Sequence, residues 1–266
     1  RLRLNMGFPA GAISNATQLG LRTGDPLGQW TTLRAGWAKV YADGALGSGT
    51  AALDEPADCG RRDAGILRVP LVLQREQHLS ALDGLAAAPT RAAGVPNDRV
   101  EHVQLLRADD APRFASLGVI ASIQPVHAAA DRDMVEACWG GRQDRAYAWR
   151  TLVNGGAGLV AGSDAPVESV NPWLGMFAAL HRRLPADGRP DWRAGEALTL
   201  PEALAAYTTA PGRLIGATDE GHLRPGARAD LAVLDTDLDV LLAADERLAE
   251  VRSNLTLVDG RETPLG

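Results

Sequence analysis

The chain has 266 residues with 45% hydrophobic and 23% charged side chains, enough for one large globular domain or two small ones and unlike a disordered chain. Its 27 Lys and Arg against 33 Asp and Glu give a formal net charge of −6, with no basic footprint for nucleic acid. No window approaches the roughly 18 consecutive apolar residues of a membrane span, so neither nucleic acid nor membrane is an expected partner.

In chain order, short apolar runs alternate with amphipathic Ala-rich stretches, the pattern of a parallel α/β fold. Strands are predicted at Ala38–Tyr41, Arg99–His102, Val119–Gln124, Leu159–Gly162 and Asp230–Leu234. Helices are predicted at Val72–Ala93, Arg107–Leu117, Arg145–Gly155, Leu174–Arg183 and Pro201–Thr209. Asp109 or Asp110 is positioned to cap the second of these before Pro112, and Thr199 with Pro201 and Glu202 reads as a capped start of the last. After Gly216 the texture changes to GHLRPGARADLAVLDTDL and then TLVDGRE, short strands between Gly and Pro turns. The expected organisation is an α/β body over 1–217 and a small β element over 218–266.

Cys59 and Cys138 are too few for a disulfide framework and belong to no CxxC cluster. They read as ordinary thiols of a reducing, cytoplasmic compartment. The opening RLRLNMGFPAGAISN lacks the apolar stretch of a signal peptide, which points the same way.

The basic residues are 26 Arg and a single Lys, Lys39. An ammonium, unlike a guanidinium, can lose its proton when buried and then be modified or act as a ligand or nucleophile. Chance survival of one surface lysine is the plain alternative. Three segments place a reactive side chain at or just after a predicted strand, where parallel α/β barrels keep their sites: Lys39 in KVYADGALGSGTAAL, His102 in RVEHVQ and Asp164 in GSDAPVESVNPW. A histidine at a strand end is often only a hydrogen-bonded core residue, and an Asp after Gly-Ser often only a turn. Their joint occurrence favours a site.

Those segments, with VIASIQPVHAAAD, RAYAWRTLVNGGAGLVAGSDAPVESVNPW, LTLPEALAAYTTAPGRLIG and GHLRPGARADLAVLD, resemble the amidohydrolase superfamily, and within it the amidohydrolase 3 group that includes N-substituted formamide deformylases. The resemblance implies a distorted (β/α)8 TIM barrel, present here through its later strands, with an appended small β-sandwich element. It also implies one or two divalent metal ions, most simply Zn²⁺, held at the C-terminal ends of the strands. Carried over residue by residue, Lys39, carboxylated in many relatives, matches the fourth-strand lysine, His102 the sixth-strand histidine and Asp164 the eighth-strand aspartate. These three are the expected metal ligands, and Asp164 is also the expected catalytic base. The implied reaction is hydrolysis of a non-peptide C–N bond, in a small amide or formamide, by a water activated at the metal.

The HxH pair that ends the first strand in such enzymes is absent from the five histidines His78, His102, His127, His181 and His222. The chain therefore reads as a C-terminal portion of the family's length, or as a non-catalytic fragment or subunit that needs missing residues or a partner chain. His78, between Gly65 and Arg99, is a candidate for the missing fifth-strand ligand, although QREQHLSALDGLAAA also reads as a plain helix. Gln124, His127 and Arg150 are candidates for substrate contact, and a homo-oligomer is open. Trp139, Tyr147, Trp149 and Trp173 read as pocket lining or as packing.

Overall fold

The computed structural model describes residues 3–44, 52, 57–59, 65, 81–87 and 97–263. β1 (Leu4–Pro9) is followed by α1 (Ile13–Gln18), β2 (Pro26–Leu27) and β3 (Trp30–Lys39), and the strands form a three-stranded sheet in the order β1-β3-β2. β1 runs parallel to β3, pairing Leu4 with Leu33 and Pro9 with Lys39, and the register shifts between Met6 and Phe8. At that shift a side chain on Gly36 would sit 2.9 Å from the Met6 carbonyl oxygen, so glycine lets the two backbones approach. The predicted strand at Ala38–Tyr41 is thus only the end of a longer one that begins at Trp30. The β-branched and aromatic run WTTL starts it without an alternation that the sequence would reveal.

α2 (Ala81–Ala87) is the described part of the helix expected over Val72–Ala93. β4 (Arg99–Glu101), α3 (Ala111–Leu117) and β5 (Ile120–Ile123) then form a β-α-β unit. α4 (Pro125–Ala130), α5 (Arg132–Cys138) and α6 (Trp149–Asn154) lead to β6 (Gly158–Ala161). β4, β5 and β6 form an all-parallel sheet with β5 central: Arg99 pairs with Ile120, and Ile120 with Gly158. Ala121 and Ile123 of the central strand have no exposed surface, as expected of a strand covered on both faces. α7 (Pro172–His181), α8 (Leu200–Tyr207) and α9 (Thr209–Leu214) follow. Last come β7 (Leu231–Leu234), α10 (Leu238–Ala243), β8 (Ser253–Val258) and β9 (Arg261–Glu262), whose strands make an antiparallel sheet in the order β7-β8-β9.

The α/β class holds, but a closed barrel is not what the described residues form: the parallel strands β4–β6 and the mixed β1–β3 group are separate sheets. Residues 45–96, which lie between β3 and β4 in the chain, are mostly outside the described residues. Trp37 of β3 nevertheless meets the start of β4, its indole N–H donating to the Asn97 carbonyl at 3.2 Å with the Arg99 guanidinium 4.5 Å above its ring.

Two local expectations are corrected. Asp110 is the N-cap of α3, but its side chain makes no capping bond and instead accepts from Arg113 at 2.7 Å. A preceding turn of 3-10 helix, Ala108–Asp110, leaves Asp110 already helical, away from the extended backbone that capping needs. Cys59 and Cys138 are not free thiols. They are disulfide-bonded, with Cα atoms 4.5 Å apart, where the Asp58 amide donates to the Cys138 carbonyl at 2.8 Å. Sequence spacing could not reveal this, because the partners are 79 residues apart. The pairing removes the ground on which a reducing compartment was expected.

The core gathers Phe114, Trp139, Tyr147, Trp149, Leu152 and Phe177, so three of the four aromatics weighed as pocket lining are packing, and Trp173 is partly buried against the same core. Arg182 is fully buried in it, 4.3 Å from the Trp149 ring, donating to the carbonyls of Trp192 and Tyr147 at 3.0 Å each. Leu248 and Val251, between β7 and β8, join this core. Arg3 at the start of β1 pairs with Glu220, Asp230 and Asp259, tying β1 to the C-terminal sheet. Among the described residues no helix is long and apolar enough to cross a membrane.

Candidate metal centre

The three strands of the parallel sheet end together, and the residues just past their ends form the site. The His102 amide donates to the Ser122 carbonyl at 2.8 Å, and the Gly162 amide to the Ile123 carbonyl at 3.0 Å, so the ladder reaches one residue beyond each edge strand. His102 follows β4 directly. Gln124 follows β5 as the N-cap of α4, and Pro125, which has no N–H to lose, starts that helix at once and places His127 in its first turn. Gly162 and Ser163 carry the chain from β6 to Asp164.

These elements bring His102, His127 and Asp164 together, with one potential ligand atom of each within 4.8 Å of the others. The imidazoles of His102 and His127 stack with ring centroids 5.7 Å apart. His102 and Asp164 are both in the left-handed region, at φ 71° and 56°. Non-glycine residues there carry a conformational cost of order 1 kcal/mol, which persists where surrounding structure imposes it and which concentrates at functional sites.

The donor set fits a divalent cation. Nδ1 of His102, Nε2 of His127 and Oε1 of Gln124 are buried with no hydrogen-bond partner among the described residues. Burial, and then the proximity of His102, hold His127 below the usual imidazole range, although Asp131, Glu168 and Asp164 pull the other way. A neutral imidazole is the form that ligates metal. Two imidazoles and a carboxylate suit a borderline transition ion and leave positions open. Orphaned buried nitrogens are otherwise costly, at about 1–3 kcal/mol each.

The other expected residues lie as follows. Gln124 is buried, and its amide nitrogen Nε2 donates to the Glu101 carboxylate at 3.5 Å, so Glu101 steadies Gln124. Lys39 ends β3, exposed, with its ammonium 4.9 Å from the Tyr41 ring centroid; no hydrogen bond or ion pair joins it to the three clustered residues. Arg150 does not wait for a substrate carboxylate. Its guanidinium is taken by Glu202, at 2.7 and 2.6 Å, and by the Ala197 carbonyl at 3.0 Å. A helix charge with an acidic residue 52 positions away cannot be seen to pair from the sequence. His78 lies outside the described residues. The member undervalued by sequence reasoning is His127, expected only to touch substrate; Pro125 directly after a strand was the signal that a helix starts there and turns His127 toward the strand ends.

The sequence matches the Amidohydrolase family over residues 8–264. Among curated proteins it is 29% identical to Protein LONG AFTER FAR-RED 3 of Arabidopsis thaliana, over 89% of this chain and 44% of that one. It is 28% identical to Putative amidohydrolase YtcJ of Bacillus subtilis, over 85% and 46%. An uncharacterized metal-dependent hydrolase from Pyrococcus furiosus superposes with a TM-score of 0.67 at 26% identity, over 86% of this chain and 50% of that one. Its counterpart from Pyrococcus horikoshii gives 0.66 at 27%, over 83% and 48%. The chain thus spans about half the length of the relatives that it matches. With nearly all its residues inside the family match and with the same fold as these hydrolases, the chain belongs to the amidohydrolase family.

Proposed function

We propose that this chain carries part of the active site of a metal-dependent hydrolase that cleaves a non-peptide C–N bond in a small amide or formamide. The observation that carries the reading is the meeting of His102, His127 and Asp164 at the C-terminal edge of the parallel sheet, with two imidazole nitrogens buried and unpartnered. A name in the family, N-substituted formamide deformylase of Arthrobacter pascens, 30% identical over 61% of this chain and 30% of that one, supports the C–N class.

His102 and His127 would hold the ion, Asp164 would hold it or take a proton, and the resemblance adds Lys39 as a further donor. A divalent metal supplies Lewis acidity there, polarising a carbonyl and lowering the pKa of water toward 7. Asp164, exposed and with a left-handed backbone, would accept the proton of an attacking water and return it to the departing nitrogen. Burial favours the neutral form of His127, in which a lone pair is available. Gln124, steadied by Glu101, would offer its carbonyl oxygen, unpartnered among the described residues, as an acceptor for a substrate N–H.

Asp164→Asn keeps the size and removes the base. Its expected effect is a loss of amide hydrolysis by about 10²-fold or more in kcat, measured by ammonia or amine release with the far-UV spectrum unchanged. Turnover equal to the wild type would refute the assignment. If neither protein binds metal or turns over, the reading as a non-catalytic portion that depends on further chain or a partner takes its place.

A further inference from the structure

Beside the candidate metal centre, β6 and the start of α7 enclose a half-open cavity of about 180 Å³. Its wall includes Val126, the neighbour of His127, and Ser163, the neighbour of Asp164, so cavity and centre share their supporting segments. Among the described residues no charged side chain lines it. The amide of Asn171 is already used, its oxygen accepting from the Trp173 amide and its nitrogen donating to the Ala249 carbonyl, both at 3.0 Å. The Tyr207 hydroxyl, by contrast, lies at the wall with no hydrogen-bond partner among the described residues. α7 makes room for it: a side chain at Gly175 would place its Cβ 2.0 Å from that oxygen. Burial also pushes the Tyr207 phenol above its usual range, which keeps it a neutral donor.

A hydroxyl that lies at the wall and makes no bond to the described part of the fold is free to donate to a ligand atom in the cavity. Apolar cavities of about 150 Å³ accept a benzene ring. We propose that this cavity receives the uncharged substituent of the substrate, up to the size of one six-membered ring, with Tyr207 donating a hydrogen bond to an acceptor on it. The assignment rests on the hydrolase reading above and makes Gly162 and Tyr207 determinants of specificity.

The test measures binding by calorimetry or ligand-observed NMR, without turnover. The probes are cyclohexanone, which offers an acceptor and cannot be hydrolysed, benzene, which offers none, and cyclohexylamine, which is cationic at neutral pH. Both neutral probes are expected to bind the wild-type protein, and cyclohexylamine to bind at least about tenfold more weakly, since burying an unpaired charge is costly. Tyr207→Phe should weaken cyclohexanone by about fivefold, the worth of one neutral hydrogen bond, and leave benzene unchanged. Gly162→Ala adds a methyl group where open space lies and where the backbone is not left-handed, so it should weaken both. Should that variant misfold, Tyr207→Phe decides alone. Failure of the neutral probes to bind, equal binding of the cation, or cyclohexanone binding unchanged by Tyr207→Phe overturns the proposal. If the binding pattern appears while no amide is hydrolysed, the hydrolase reading fails and the cavity stands; if amides are hydrolysed while the pattern is missing, only the cavity assignment fails.

Discussion

Glu202 shows how one side chain can join several levels of structure. Its carboxylate accepts from the Thr199 backbone amide at 2.7 Å, closing a capping box at the start of α8, and takes the fork of Arg150 from α6. Arg150 therefore holds its carboxyl down at about 2, with burial acting weakly the other way. A folded-state value below the unfolded one adds stability that is present above the usual carboxylate range and is lost as pH falls through it toward 2. Glu202→Gln should cost roughly 1–2 kcal/mol near pH 7 after allowance for screening, and the difference from wild type should shrink below the ordinary carboxylate range and vanish only as pH falls through about 2. Denaturant midpoints measured across that range check it, and a constant difference would contradict the assignment. The same residue marks what sequence could and could not reveal. Thr199 and Glu202 are three residues apart with Pro201 between them, and this local spacing exposes the cap. The Arg150 partnership depends on tertiary packing, so an arginine that looked available for substrate is internally satisfied.

At the scale of elements, the strands around the site were legible because each is a short apolar run bounded by turn residues, and β4, β5 and β6 fall within a residue or two of expectation. Their register brings three chain segments to one edge, and this explains why His102 and Asp164 could be named from strand ends alone. What hid His127 was α4, six residues long and too short to show periodicity. Arg182, the C-cap of α7, is buried, and its donors serve the Tyr147 and Trp192 carbonyls between two indole rings. Arg182→Ala should cost about 3 kcal/mol or more, because it opens a cavity and strands two buried acceptors. Thermal unfolding would show this; a loss under about 1 kcal/mol would mean that the guanidinium packs as a surface group does.

At the scale of the molecule, long-range ties hold the elements that local signals cannot place. The Cys59–Cys138 bond closes a loop of 79 residues, for which chain-entropy arguments give about 4 kcal/mol. Cys138→Ser, or reduction of the wild-type protein, should lower the melting temperature by several degrees, with equal effects from the two treatments; no change on reduction would contradict the pairing. Arg3 links β1 to Asp230 and Asp259 of the C-terminal sheet, a contact that composition and periodicity could not suggest. The central claim, however, concerns the edge of the parallel sheet. It is tested most directly by titrating Co²⁺ into the metal-free protein while following its visible absorption, for the wild type and for His127→Ala. Saturable binding with nitrogen-ligand bands is expected in the wild type, and affinity at least about tenfold weaker in the variant. Equal affinity and identical spectra in the two proteins would remove His127, and with it the proposed centre.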